Sequence, residues 1–484
     1  MLYQEKTLYA FETDAFEEVR DLSLCLEEPT LDEGNPVVRV GGPDEPDAGK
    51  ICYTASVERW RDGYGMWYQA EDQEGRSTRC FASSADGFDW QKRGVVGEGR
   101  FNTLGETFNV FNDGERFLAP MLTKGTEAGV EPAFAALRPD DIPDARRRAL
   151  AEKHMARTGR CGVKTFVGVA TSDDGLRWQM PEPTPRLPMF LEPCWLYRFQ
   201  ERYIMNSQTH GNWLEPPVPG HRLVAFFTSR DLRNWDPQPG YMKNIAHETT
   251  GGMTHVGIVP IKCIDDRLLV GLGGRFDEGR ELPDQHFEVT LLYSTDGLEW
   301  KPVAPEHERR SWIRRGRGGE WDFGGVTGMG LVERGDEAAV YYSGTTIGNG
   351  CHSCPSYDCG PCQVGRVRFG RDRFTALQPT VGWNAIFAAA QAAGARGELT
   401  TRPLQLSTAR ALSLNVDIPP DATVQVELLA DDGGVHETVT VVDSGTAVRV
   451  PLQQPVPAAP VRLRLTLTGG AAPDRVPRLF ALEY

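Results

Sequence analysis

Along the first 380 residues, short runs of apolar, β-branched and aromatic residues alternate with polar turns. Runs of this length, bounded by turn-forming residues, predict β-strands. Four of the runs end in one repeated phrase, S-x-D-(G/L)-x-x-W. Its copies are Ser84–Trp90, Ser172–Trp178, Ser229–Trp235 and Ser294–Trp300. A strand followed by a polar turn and a tryptophan is typical of the outer end of a repeated β unit.

Each phrase is preceded by two further strands joined by a tight turn, as at Asp62-Gly63 and Asp113-Gly114. The spacing of the tryptophans suits a four-stranded antiparallel sheet per unit better than a single strand. A worn fifth copy, Gln363–Leu377, has Phe374 in the place of the tryptophan. The pattern therefore predicts an all-β protein that begins with a five-bladed β-propeller.

The predicted propeller covers residues 1–380, with a lead-in over 1–35. An insertion over about 125–160, rich in Ala, Leu and Arg, predicts a short helix and explains the long interval between the first two phrases. An Ala-rich linker, 381–397, follows. Residues 398–484 alternate apolar and polar positions in several short strands, which predicts a separate C-terminal β-sandwich.

The chain has 484 residues and a net charge of −15. This charge repels phosphate backbones and anionic lipid surfaces, so we expect neither nucleic acid nor a membrane as partner. The sequence shows neither a signal peptide nor an apolar stretch of the roughly 18 to 20 residues needed to span a bilayer. It predicts a cytoplasmic protein with reduced thiols and no organic cofactor.

Ionisable residues lie just ahead of the first strand of every predicted blade. In a propeller these positions open on one face around the axis, so the side chains are expected to converge. Converging carboxylates repel one another and are costly to desolvate without a ligand, a proton or a metal. Two carboxylates with separated pKa values are what cleavage of a glycosidic bond requires. The candidates are Asp44 and Asp47, Glu106, Glu192, His247 and Glu248, and Glu320 and Asp322.

Aromatic and basic residues extend the predicted site. Tryptophan rings can stack on sugar C–H surfaces, with core packing as the alternative. Histidines can bind substrate hydroxyls or a central ion, or serve a purely structural role. Arginine can clamp a hydroxyl or carboxylate, or form a surface ion pair. The candidates are Trp195, Trp213 and Trp321, His210, His247 and His255, and Arg275.

The blade order, the repeated phrase and the inner acids resemble the five-bladed propeller glycoside hydrolases of families 32, 43 and 68, and the C-terminal sandwich is most similar to family 32. The resemblance implies a furanosidase or fructosidase with Asp47 as nucleophile or base, Asp44 being the competing choice. Glu192, in the sequence EPC, would be the acid/base, and Glu106 would take the place of the second-blade Asp. The family's Arg-Asp-Pro and Asn-Asp-Pro-Asn-Gly motifs are absent. Their absence favours another glycoside and a principal role for Glu248 or Asp322.

Two other functions fit the same pattern. A glycoside phosphorylase or transglycosylase would pass the glycosyl group to phosphate or a sugar, and would need basic residues such as those of the Arg-rich stretch 308–319. A non-catalytic propeller would bind carbohydrate or protein, with its acids too far apart to act together. The sequence leaves open whether the sandwich packs on its own propeller or on that of a second copy in a homo-oligomer.

A cysteine cluster lies between the second and third predicted strands of the fifth blade. Cys351, Cys354, Cys359 and Cys362 form C-x2-C-x4-C-x2-C, which can present four thiolates to one zinc ion. Four cysteines leave no open coordination position, so the zinc would be structural. Two disulfides and unligated thiols are the alternatives.

Overall fold

The computed structural model describes most of the chain. It covers residues 1–4, 6–97, 108–123, 165–180, 194–210, 222–237, 253–277, 286–304, 311–347, 362–380, 394–406, 411–430, 432–455, 459–472 and 475–484, with 140, 145, 148–149, 152, 156, 191 and 457. The predicted helical insertion lies almost wholly outside these residues. No helix within them is long and apolar enough to cross a membrane.

The described residues form a succession of short strands, with a 3₁₀ turn at Thr13–Ala15. The strands before residue 240 are β1 Leu2–Gln4, β2 Thr7–Tyr9, β3 Phe16–Arg20, β4 Leu22–Leu26, β5 Thr30–Leu31, β6 Lys50–Trp60, β7 Gly63–Glu71, β8 Ser77–Ser84, β9 Gln91–Val95, β10 Phe111–Asn112, β11 Phe117–Thr123, β12 Thr165–Ser172, β13 Cys194–Phe199, β14 Arg202–His210, β15 Arg222–Ser229 and β16 Asp236–Pro237. Those after it are β17 Met253–Ile264, β18 Leu268–Asp277, β19 Phe287–Ser294, β20 Lys301–Pro302, β21 Gly325–Arg334, β22 Glu337–Thr345, β23 Gln363–Gly370, β24 Thr375–Pro379, β25 Arg396–Thr401, β26 Ser413–Asp417, β27 Thr423–Leu429, β28 Val435–Val441, β29 Gly445–Arg449, β30 Arg462–Thr468 and β31 Arg478–Glu483. The predicted all-β class is confirmed.

Five antiparallel units follow one another from β6 to β23. They are the first unit (β6–β9), the second (β10–β12), the third (β13–β16), the fourth (β17–β20) and the fifth (β21–β23, with β5 as its outer strand). A single parallel bridge between Phe287 and Gly325 joins the fourth unit to the fifth. The fifth unit is therefore completed by a strand from the N-terminal part of the chain.

Each unit is bonded to the next through its inner strands, and the fifth unit is bonded to the first. The first three pairs of neighbouring units are joined by a hydrogen bond between a side chain and a backbone group. The fourth pair is joined by an ion pair, and the fifth unit is joined to the first by a hydrogen bond from a tyrosine hydroxyl. The pairs are Ser56 Oγ with Val110 N at 2.7 Å, Asn109 Nδ2 with Cys194 O at 2.7 Å, Asn206 with both backbone groups of Ile258 at 2.9 Å, Lys262 Nζ with Glu333 at 2.7 Å, and Tyr64 with Glu333 O at 3.1 Å.

Residues of all five units also line one small cavity, of about 20 Å³, including Ser56, Asn109, Trp195, Pro260 and Gly330. That volume holds about one water molecule. Met1 lines the same cavity, and its ammonium is paired with the buried Glu58. A sugar therefore has no room at this depth between the inner strands.

The repeated S-x-D phrase forms tight turns, as its composition predicts. Asp174 Oδ1 accepts hydrogen bonds from the backbone N–H groups of Leu176 and Arg177, each at 2.8 Å. Equivalent bonds to Asp86 lower the pKa of that carboxyl to about 2, although burial by itself would raise it. Asp174, so conspicuous in the sequence, is a turn residue.

Apart from β1, which pairs in parallel with β17, the remaining strands form two further antiparallel sheets. One has the order β29-β26-β31-β24-β4, with β2 also on β31, and the other has the order β28-β27-β30-β25-β3. Both contribute to one hydrophobic cluster that includes Leu414, Val424, Leu465 and Leu479. Strands from the predicted lead-in thus complete sheets formed mainly by the last 110 residues of the chain.

The worn fifth copy of the phrase does not form the same turn. Asp372 is buried, accepts a hydrogen bond from Tyr9 and pairs with Lys262 at 2.5 Å. The ring of Phe374 packs among aromatic side chains, including that of Tyr9. The following strand, β24, pairs with β4 and β31. Burial against the N-terminal strands therefore replaces turn chemistry here.

Candidate functional site

The two ends of the units carry different residues. In each antiparallel unit the first and third strands run in the same direction, so the first strand begins at the end opposite to the one where the third strand finishes. The S-x-D turns follow the third strands. Asp47 precedes β6 and Asp322 precedes β21, so both aspartates lie at the other end. The structure thereby brings two of the predicted acids to equivalent positions ahead of adjacent inner strands.

The two aspartates are held by the same loop, which occurs twice. Gly41–Gly49 and Gly316–Gly324 both read G-x3-E-x-D-x-G. In each copy the first glycine N–H bonds to the carbonyl of the aspartate, at 3.2 Å for Gly41 and 3.3 Å for Gly316. A Cβ on either glycine would collide with the carboxylate of that aspartate, so only glycine fits there. We call the two copies the first and second carboxylate loops.

Asp47 in the first loop is 1 % exposed. Its Oδ2 pairs with Lys92 Nζ at 2.6 Å and accepts a hydrogen bond from the Tyr68 hydroxyl at 3.2 Å. Its Oδ1 has no hydrogen-bond partner within the described part of the chain. Glu45 of the same loop lies 3.6 Å from Lys92 Nζ. One buried oxygen of Asp47 thus has no hydrogen-bond partner among the described residues.

Asp322 in the second loop is 4 % exposed. Its Oδ2 accepts a hydrogen bond from the Tyr342 hydroxyl at 2.9 Å. Burial raises the pKa of Asp322, the Tyr342 hydrogen bond lowers it, and the charge of Glu320 raises it again, with a net upward shift. Among the described residues no Lys, Arg or His forms an ion pair with Asp322. The two loops therefore give chemically identical side chains different electrostatic surroundings.

Both tyrosines act as hydrogen-bond donors. Burial is the main cause that raises the pKa of Tyr68 and of Tyr342, and the neighbouring aspartate raises each further. The indole of Trp321, in the second loop, stacks on the Tyr342 ring with centroids 5.8 Å apart. This predicted sugar-stacking residue thus lies directly beside Asp322.

The fourth unit supports the second loop through a charged group. Arg275 Nη2 lies 2.9 Å from Glu288 Oε2 and 3.2 Å from Ser311 Oγ. Arg315 lies 3.8 Å from the other Glu288 oxygen and donates to the carbonyl of Phe323 at 3.1 Å. The described contacts of Arg275 are therefore with protein groups, and the predicted substrate clamp stays a prediction.

The other predicted residues are placed less fully. Trp195 is half-buried on the small cavity between the inner strands, and Asp44 is exposed. His210 is the last residue of β14, and His255 lies opposite Arg275 in the β17–β18 register. Of these two histidines the structure describes only the backbone. Outside the described residues lie Glu106, Glu192, Trp213, His247, Glu248, Cys351, Cys354 and Cys359. Cys362 is buried, and its carbonyl accepts a hydrogen bond from Ile51 N at 3.0 Å.

Sequence reasoning missed three supporting residues, Lys92, Tyr68 and Tyr342. A signal for the tyrosines exists, because Tyr68 follows Asp47 by 21 residues and Tyr342 follows Asp322 by 20. Together with the repeated G-x3-E-x-D-x-G pattern, this spacing indicates that both loops are copies of one motif, an aspartate loop with a tyrosine hydrogen-bond donor. Lys92 has no counterpart beside Asp322 among the described residues and carries no such signal.

No protein-family model and no curated protein matches the chain. Solved structures that resemble it include one described as a glycoside hydrolase, with 13 % identity and a TM-score of 0.46, covering 71 % of this chain and 92 % of that one. A second comes from work on the GH130 family of mannoside phosphorylases, described as containing glycoside hydrolases that target β-1,2 mannosidic linkages. It has 12 % identity and a TM-score of 0.44, and the match covers 71 % of this chain and 94 % of that one. A third is a glycosyl hydrolase from Bacteroides ovatus (13 %, 0.44, 71 % and 94 %). At these identities and scores, function has to be argued from the residues of the site.

Proposed function

We propose that this protein is a glycoside hydrolase with a five-bladed β-propeller followed by a C-terminal β-sandwich, and that it works by two carboxylates. The observation that carries the proposal is the repeated loop, which buries Asp47 and Asp322 at the same end of adjacent inner strands. The bonds from each unit to the next, including the fifth to the first, support the propeller.

The chemistry of the site supports bond cleavage. Buried carboxylates cost free energy unless they serve a ligand or are neutralised. Asp47 keeps one buried oxygen without a partner in the described structure, and Trp321 offers a ring beside Asp322. An acid, an ionised carboxylate and an aromatic surface are the groups that hydrolysis of a glycoside uses. A furanoside or fructoside-like substrate is favoured, with Glu106, Glu192 and Glu248 as the further predicted acids.

The experiment is a screen of aryl furanosides and pyranosides against wild type, Asp47→Asn, Asp322→Asn and Glu192→Gln. Loss of one catalytic carboxyl is expected to lower kcat by about 10²- to 10⁴-fold. Asp173→Asn, which changes an exposed turn residue at the opposite end, is the control and should leave the rate unchanged. Hydrolysis that persists in all three acid variants would overturn the proposal.

A phosphorylase or transglycosylase is the second candidate. It needs free cations near the acids, and Arg275 and Arg315 lie beside the second loop. Both contact Glu288, however, and Arg314 pairs with Glu28 at 3.0 Å, which favours water as the acceptor. Phosphate should therefore not accelerate turnover. A non-catalytic binding propeller would bind sugars without cleaving any member of the panel.

We also propose that the cysteine cluster holds a structural zinc ion. The cluster lies between β22 and β23, and Cys362 meets the beginning of β6 through its carbonyl. Zinc bound there would brace the end of the units that carries Asp47. Metal analysis should give one zinc per chain in wild type and less in Cys354→Ser, while Cys25→Ser, in β4, should keep the wild-type content. A metal-free wild-type protein purified without chelators would contradict the proposal.

A further inference from the structure

The two carboxylate loops share their backbone hydrogen bonds, their glycines and their tyrosine partners, so the differences between them stand out. The main difference is a cation. Lys92, on the outer strand of the first unit, reaches Asp47 Oδ2 at 2.6 Å, whereas the described residues supply no such partner to Asp322. An adjacent cation favours the ionised form of a carboxyl, and burial without one favours the neutral form, so the two loops place their aspartates in different electrostatic surroundings.

We infer that the duplicated loop divides the acid–base work of this site, with Asp322 as the proton donor, Asp47 as the carboxylate that stays ionised, and Lys92 as the residue that positions and charges Asp47. The inference rests on the proposed function and assigns its roles. It moves the acid from Glu192, the sequence-based candidate, to the fifth unit.

The charged groups around each aspartate are consistent with this division. Around Asp47 they are Glu45 of its own loop, Tyr68 and Cys80 of β7 and β8, and Lys92 of β9. Around Asp322 they are Glu320, Arg315 and Arg317 of its own segment, Tyr342 of β22, and His286, Arg275 and Glu288 of the fourth unit. Arg315 and Arg275 are occupied by Glu288, and the Arg317 backbone N–H is bonded to Glu320. Among the described residues, none of these cations forms an ion pair with the buried carboxyl of Asp322.

The proposed step balances as follows. The bond between the anomeric carbon and the glycosidic oxygen breaks, its electron pair stays on that oxygen, and the oxygen takes the proton of Asp322. Asp47 either bonds to the anomeric carbon, for release by water later, or removes the proton from a water whose oxygen bonds to that carbon. In both cases water supplies the new hydroxyl. In the first case Asp322 regains its proton from that water; in the second, Asp47 releases the proton of the water to solvent and Asp322 takes up a proton from solvent.

The first test uses leaving groups of different basicity. A dinitrophenyl glycoside needs little help from an acid, whereas an alkyl glycoside of the same sugar needs protonation. Asp322→Asn should lower kcat about 10²- to 10⁴-fold on the alkyl glycoside and far less on the dinitrophenyl one. Asp47→Asn should lower both to the same extent. Equal losses on both substrates for Asp322→Asn, or no loss, would overturn the assignment.

The second test isolates Lys92. Lys92→Met removes the cation at Asp47 and should move the acidic limb of the pH–activity profile to higher pH while leaving the alkaline limb in place. Lys50→Met is the matched control, because Lys50 lies in the same sheet, on β6, but pairs with Glu71 at 2.9 Å. If the acidic limb shifts by the same amount in Lys92→Met and Lys50→Met, Lys92 is not the residue that positions and charges Asp47.

The third test needs no substrate. In protein labelled with ¹³C at the Asp carboxyl carbons, the signal absent from Asp322→Asn should titrate above the usual range of aspartate. A normal titration would overturn the assignment even if the enzyme is active. A wild type that cleaves no glycoside would instead remove the proposed function, and the acid–base roles with it, whatever the titration shows.

Discussion

Trp67, on the second strand of the first unit, donates its indole N–H to the carbonyl oxygen of Gly175, in the turn of the second unit, at 2.7 Å. The same relationship joins Tyr197 of the third unit to Gly297 of the fourth, at 2.5 Å, and Tyr341 of the fifth unit to Gly87 of the first. The turns of the second, fourth and first units therefore bind the first, third and fifth units, respectively. These contacts lie at the end opposite to the carboxylate loops.

Gly175→Ala should destabilise the protein by about 2 kcal/mol or more, because it adds a steric clash to backbone strain. Gly175 has a φ of 73°, and a Cβ there would lie 2.7 Å from the Trp67 ring. Gly114→Ala is the control, with a φ of 93° but no atom within 4 Å of its Cβ, and should cost only about 1 kcal/mol. Denaturant midpoints measure the stability of both variants. Equal shifts would contradict the role of the contact between Trp67 and Gly175.

Asn206→Ala should destabilise the fold by about 2 to 4 kcal/mol, because it leaves the buried N–H and C=O of Ile258 without partners. Asn112→Ala removes only exposed hydrogen bonds, one to the Arg59 carbonyl and one from the Gly114 N–H, and should change stability by less than about 1 kcal/mol. Thermal unfolding of the two variants compares them directly. A small effect at Asn206 would show that the third and fourth units are held together chiefly by apolar contacts.

Lys262→Met should destabilise the protein by about 3 to 5 kcal/mol near neutral pH, since it strips the buried Asp372 and the half-buried Glu333 of their shared cation. Burial raises the pKa of Glu333 and Lys262 lowers it, so the variant raises that pKa further. A carboxyl with a raised folded-state pKa stabilises the fold below its unfolded pKa and loses that contribution as the pH rises through the folded value. The loss of unfolding free energy relative to wild type should thus grow from pH 4 to pH 8. In the double variant Lys262→Met with Glu333→Gln this loss should vary less with pH. A deficit independent of pH would assign the effect to packing.

Tyr342→Phe should move the alkaline limb of the pH–activity profile to higher pH, because the lost hydrogen bond is one that lowers the pKa of Asp322. The acid would then keep its proton further into the alkaline range. Tyr293→Phe, on the outer part of the fourth unit, should leave both limbs in place. An unchanged alkaline limb in Tyr342→Phe would indicate that another group supplies the proton.

Much of the architecture follows from local sequence. The Ser172 and Asp174 side chains form their turn by accepting hydrogen bonds from the N–H groups of Gly175 and Leu176, so four copies of the phrase could be recognised without tertiary information. The same locality identifies Asp174 as a turn residue from its place in the phrase. Asp47 and Asp322 could be named as candidates because they stand just ahead of strands at the opposite end.

What the sequence alone determined is thus a repeated all-β chain with acids ahead of its inner strands. Tertiary structure decided the rest, because the deciding contacts join residues far apart in sequence. It made Asp372, a turn residue by pattern, the buried partner of Tyr9 and Lys262, and it drew the outer strand of the fifth unit from Thr30–Leu31. It also placed Lys92 on Asp47 and left Asp322 without a cation in the described structure. Protonation depends on such neighbours and on burial, and neither can be read from two loops with the same sequence pattern.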